Sequence, residues 1–264
     1  MAWVESVSAS FRARHESADA EDANRVLVSL ERTRDRLGDV FPRVVIDLTV
    51  VLHGSMASLS LANPVLPVAW LATAPAARRY VAGWAGETEL HVLAPAALRA
   101  RASAVRGSRE MLALTAAALY ARRVIVENNH QIRNANAPAR FALGLRWAWL
   151  LEGSARWFGG QTEHAQAAIA RRLHEGRRPA FPPGLRDAPL LGGTLIDLLV
   201  REEGELAAAQ LASRLHPDGA RAALLKAFRG RQLVYTEGAW RSHLRRMASA
   251  AKGARSQIGA MNGP

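Results

Sequence analysis

Trp149-Leu150-Leu151-Glu152-Gly153-Ser154-Ala155-Arg156-Trp157-Phe158 runs straight into Gly159-Gly160-Gln161. Apolar and aromatic residues recur through it at helical spacing, and the paired glycines stop it, so the stretch reads as one helix. Trp149, Trp157 and Phe158, with Trp147 just ahead, read as core packing. One acid, Glu152, stands in the middle of this apolar pattern. A buried carboxylate is costly without a partner. What faces Glu152 therefore decides how the helical half of the chain is built and what it does.

Working outward, Ser108 can cap a long preceding helix that ends near Glu127, with Asn128 and Asn129 as stop signals and a loop to about Leu143. A helix over about 163–175 follows, then the proline-rich loop 177–189. Helices at about 190–203, 206–215, 218–228 and 238–249 complete this half, and the small, polar tail 250–264 reads as disordered. The first half differs. Residues 3–14 alternate weakly and read as a strand. A helix over about 18–37 places Ala23, Val26, Leu27, Leu30 and Leu37 on one face and ends at Gly38. Val44–His53 is rich in β-branched residues and reads as a buried strand. A segment broken by Pro64, Pro67 and Pro75 leads to two short strands, 79–85 and 88–94, turning around Gly86. The expected fold class is α+β: a small mixed sheet with one packing helix over 1–105, then a mostly helical part over 106–249, the two forming one compact unit.

The chain has 264 residues, 49% of them hydrophobic, enough for a sizeable core. It has no cysteine, which excludes disulfides and thiolate metal sites. No apolar run reaches the ~18 residues of a membrane span. The first residues have no apolar core of a signal peptide, so a cytoplasmic location is the expectation. The net charge of +12 raises the possibility of nucleic acid. Against this, the basic residues are arginine almost throughout, the only lysines being Lys226 and Lys252. The arginines are scattered in short groups, and no nucleic-acid motif accompanies them.

The stretch Trp149–Phe158, with the element order around it, resembles the gluzincin metallopeptidases, in particular the compact peptidase MA-like proteins of bacteria. The resemblance covers most of residues 1–249, including a closing Ala239–Leu244 segment similar to the family's last helix. It implies a zincin-like fold with an edge strand at Glu89–Pro95, a helix bearing HExxH, and a second helix whose WLxEGxAxYF-like motif supplies the third zinc ligand. Glu152 falls on that ligand position. The chemistry also needs two histidines four residues apart, which grip one Zn²⁺ from one helix face, and a glutamate beside the first as general base. The helix that should carry them contains no histidine. Spacing puts Ala118 with Arg122, or Leu119 with Arg123, at the ligand positions, and Leu119 or Tyr120 at the base. None of these is a zinc ligand or a carboxylate.

No other segment supplies the missing half. His174-Glu175 begins like the motif but has Arg178 at the fifth position and follows the third-ligand helix. His130, near Glu127, is a weak alternative ligand. His15, His53, His91, His164, His216 and His243 show no ligand spacing to one another. Three readings of Glu152 remain: an ion pair with Arg122 or Arg123 replacing the metal's charge, an exposed or turn-capping acid, or a noncanonical metal site. The expectation is that there are no catalytic residues, no metal ligands and no cofactor. The function that the resemblance and its missing histidines lead one to expect is that of a catalytically inactive metallopeptidase-like protein binding a peptide or protein partner along residues 89–95. A hydrolase rebuilt from Glu152, Glu127 and His130, and a basic nucleic-acid binder, are the alternatives.

Overall fold

The opening stretch forms a hairpin rather than one strand. The computed structural model describes residues 3–261. Trp3–Val7 (β1) and Phe11–Glu16 (β2) pair antiparallel, with Trp3 opposite Glu16 and Val7 opposite Arg12. The reversal at Ser8–Ser10 is held from outside. Glu31 accepts hydrogen bonds from Ser8 Oγ and the Ser10 N–H, both at 2.7 Å. Because two-residue alternation continues across the turn, the pattern over 3–14 did not reveal the break.

Helix Ala20–Gly38 (α1) follows, burying Ala23, Leu27, Leu30 and Leu37. Strand Leu48–His53 (β3) then lies parallel to β2. The proline-broken segment is itself helical, in three pieces: Met56–Ala62 (α2), Leu66–Ala72 (α3) and Pro75–Arg78 (α4). Prolines at the starts of α3 and α4 are the reason, since a proline in the first turn gives up an N–H that has no helical partner there anyway.

Gly83–Ala85 (β4) and Glu89–Leu93 (β5) form the expected antiparallel pair, with Trp84 opposite His91. The sheet order is β1-β2-β3-β5-β4. This corrects the position of the edge. β5 pairs parallel with β3 on one side and antiparallel with β4 on the other, so residues 89–93 are interior, and the edge strand beside the helical half is β4. Which of two neighbouring strands ends a sheet is a matter of tertiary order that local pattern does not carry.

The helical half begins with Pro95–Arg101 (α5), Ser108–Ala113 (α6), Thr115–Asn128 (α7), His130–Arg133 (α8), Ala137–Arg146 (α9) and Ala148–Phe158 (α10). The helix expected over 108–127 is thus broken at Leu114, and the expected loop carries α8 and α9. The rest is Gln166–His174 (α11), Ala188–Glu203 (α12), Glu205–Ser213 (α13), Ala220–Ala227 (α14) and Leu233–Met261 (α15). The final helix starts earlier than expected and runs through most of the stretch read as a disordered tail; 262–264 lie outside the described residues. The molecule is α+β, a five-stranded sheet followed by a largely helical second half.

α10 is the central helix of that half. It packs against α7 on one side and α12 on the other. Gly153 makes the second contact possible: a Cβ there would lie 2.4 Å from the backbone carbon of Gly192 in α12. The glycine that follows Glu152 is therefore a packing requirement. Trp147, Trp149 and Phe158 are buried as expected, Trp157 is only half-buried with its Nε1 donating to Asp197 at 3.2 Å, and one buried cluster continues from Phe11 in the sheet to Leu244 in α15. Among the described residues no helix is long and apolar enough to cross a membrane.

Candidate functional site

α7 presents Thr115, Ala118, Leu119 and Arg122 on one face, the spacing of successive helical turns. Glu152, Ala155 and Arg156 of α10 meet that face, and together the two helices floor a cleft of about 580 Å³. β4 forms one wall. α3, with Val65 just before it, and α9 form further walls, contributing Val65, Val68, Phe141 and Leu145, each of them exposed. Large apolar side chains left in contact with water around one cleft mark a surface made to be covered.

On the floor, Arg122 Nη1 donates to Glu152 Oε1. Of the two arginines that spacing offered, Arg122 takes the carboxylate. Arg123 turns away, donating from Nε to the Glu87 carbonyl at 2.9 Å and from Nη2 to Glu127 at 3.1 Å. The pair is not fully buried: both side chains are 29% exposed, so Glu152 is an acid at the cleft surface rather than in the core. Tyr120 is on the other side of α7. Its ring meets Phe11 edge-on at 5.1 Å and its hydroxyl donates to the Val45 carbonyl at 2.9 Å. Only the set Ala118, Leu119 and Arg122 shares the cleft with Glu152; Tyr120 and Arg123 do not.

Glu127 and His130 do not join it either. Glu127 is held by Arg123 and by Arg133 at 3.4 Å, His130 is exposed at the start of α8, and neither lines the cleft. The rebuilt hydrolytic site composed of Glu152, Glu127 and His130 is therefore not assembled. Among the described residues no group of three His, Asp or Glu side chains is placed to hold a metal ion.

β4 brings its backbone to the cleft. Leu93 N–H donates to the Ala82 carbonyl at 3.1 Å and Gly86 N–H to the Glu89 carbonyl at 2.7 Å. In an antiparallel ladder these bonds fall on alternate residues. Trp84 therefore faces β5, while Gly83 and Ala85 turn their N–H and C=O groups to the free edge. Gly83 is needed because β5 and α7 both pack so close: a Cβ would lie 2.5 Å from the His91 carbonyl of β5 and 2.7 Å from Leu119 of α7.

One polar chain escaped sequence reading. His53 Nε2 lies 3.0 Å from His91 Nδ1, and His91 Nε2 lies 3.1 Å from Glu89 Oε2. Trp84 stacks on His91 with ring centroids 4.2 Å apart. Burial first, and the neighbouring His91 second, push the His53 pKa below its ordinary value. Their positions, 38 residues apart, gave no spacing signal; the parallel pairing of β3 and β5 brings them together. Comparison with protein-family models, curated proteins and solved structures finds no match for this chain.

Proposed function

We propose that this chain is a non-hydrolysing, gluzincin-like protein whose cleft binds an extended segment of a peptide or protein partner along the free edge of β4. The observation that carries this reading is the Arg122–Glu152 ion pair on the floor of an apolar cleft walled by an open strand edge. In the metallopeptidases that the motif resembles, this floor is where zinc binds. The residues here do not fit that metal. Ala118 offers no donor atom, Leu119 offers no base, and Arg122 sets a fixed positive charge against the one carboxylate. A guanidinium supplies the charge compensation a cation would give and leaves no activated water. What the cleft retains is binding: two backbone N–H and two C=O groups on β4, and apolar walls.

The test uses N-acetylated pentapeptides of Ala, Val, Leu and Phe added to the full chain with zinc present. The backbone amides of Gly83 and Ala85 should shift in the NMR spectrum and become slower to exchange, while mass spectrometry recovers the peptides uncut. Cleavage of the peptides, or shifts confined to other surfaces, would overturn the proposal.

A further inference from the structure

Five arginines border the cleft and the bay that adjoins it at Glu87. Four have carboxylate partners: Arg122 with Glu152, Arg123 and Arg133 with Glu127, and Arg140 with Glu87. Arg156 has none among the described residues, and it is the most deeply placed of the five, only 9% exposed. Its Nη1 donates to Gln161 Oε1 at 2.7 Å and its Nη2 to the Tyr80 carbonyl at 3.2 Å, while its Nε has no partner. Burial pushes its pKa below arginine's ordinary value, with Glu152 opposing that effect, but a guanidinium remains charged at neutral pH. A buried cation with neutral partners only is costly unless an anion completes it. Glu152, the carboxylate that acts on it, is committed to Arg122.

The place of Arg156 along the strand says which anion. Tyr80, whose carbonyl it holds, lies three residues before Gly83, so the guanidinium sits at the start of β4. A segment added antiparallel to β4 ends there with its C-terminus. A parallel segment would bring its N-terminal ammonium to the same spot, against like charge. Val65, Val68, Phe141 and Leu145 give the same cleft its exposed apolar walls.

We propose that the cleft recognises the free C-terminal end of a partner polypeptide, with apolar side chains against α3 and α9 and the terminal α-carboxylate on Arg156. This rests on the reading of β4 as the binding edge, and the test separates the two. Two pools of N-acetylated pentapeptides of Ala, Val, Leu and Phe are prepared, one as free acids and one as C-terminal amides. Each is equilibrated with the full chain, and retained members are quantified by affinity-selection mass spectrometry. Free acids should be retained about tenfold or more over the matching amides, the contribution of a charge-assisted hydrogen bond in a desolvated site. The preference should fall to near unity in Arg156→Gln and partly return in Arg156→Lys. Ala85→Pro, which removes an edge N–H without touching the ladder to β5, should lower retention of both pools. Equal retention of acids and amides, with Ala85→Pro still abolishing it, would overturn the carboxylate inference alone. Retention of neither pool would overturn both. The comparison of acid and amide on the unaltered chain decides the matter even if the Arg156 variants do not fold.

Discussion

Arg122 and Glu152 each satisfy a group that would otherwise be stranded at the cleft floor. Removing Glu152 leaves Arg122 and Arg156 facing one another's charge without an acid between them. Because both members of the pair are 29% exposed, solvent screens part of the loss. Glu152→Ala should destabilise by about 1 kcal/mol, measured as a shift in urea midpoint. Arg122→Met combined with Glu152→Leu should cost less than the sum of the single changes, since neither charge is then left alone. His53 gives a second handle. Its folded pKa lies below the unfolded value of about 6.5, so the unfolded chain binds the extra proton. Stability should therefore be full above about pH 6.5 and fall as pH is lowered beneath it. His53→Gln should flatten that dependence in urea midpoints taken between about pH 5 and 7.5. At this scale the sequence was legible where two residues lay on neighbouring helices of known register. An acid at 152 and arginines at 122 and 123 left two candidates, and the face of α7 chose between them. It was not legible for His53 and His91, nor for the isolation of Arg156, because those depend on which elements become neighbours.

A buried ion pair ties α11 to the residue just before α12. Arg172 donates from Nε to Asp187 Oδ1 at 2.6 Å and from Nη2 to Oδ2 at 2.9 Å, with both side chains almost fully buried. Asp187 directly precedes α12, so this fork fixes where that helix starts against α10. Arg172→Ala strands a buried carboxylate and should cost roughly 3–5 kcal/mol, read from thermal or urea unfolding. Elements themselves were largely visible beforehand. The α1, α10 and α12 stretches carry unbroken periodicity and clear stops, whereas the strand expected over Val44–His53 begins only at Leu48. Their neighbours failed for identifiable reasons. Alternation crossed the Ser8–Ser10 turn, Leu114 breaks a helix without a glycine or proline to announce it, and α9 buries no residue at all, so no apolar stripe marked it against a core.

For the whole molecule, the division into a sheet-rich first part and a helical second part followed from the change of periodicity near residue 95. The strand order did not follow, and with it went the position of the sheet edge, which lies at β4 and not at 89–95. What makes the molecule more than a sum of elements is that α7, α10 and β4 converge on one cleft whose floor carries the Arg122–Glu152 ion pair. If that floor is a zincin metal site with its first half replaced, restoring the replaced residues should restore the metal. The decisive measurement is the zinc content of a chain carrying Ala118→His, Leu119→Glu and Arg122→His together, by elemental mass spectrometry after zinc loading and dialysis. About one zinc per folded chain, lost again when Glu152→Ala is added, and near-zero zinc in the unaltered protein, is the predicted result. A folded triple variant that holds no more zinc than the unaltered chain would contradict it.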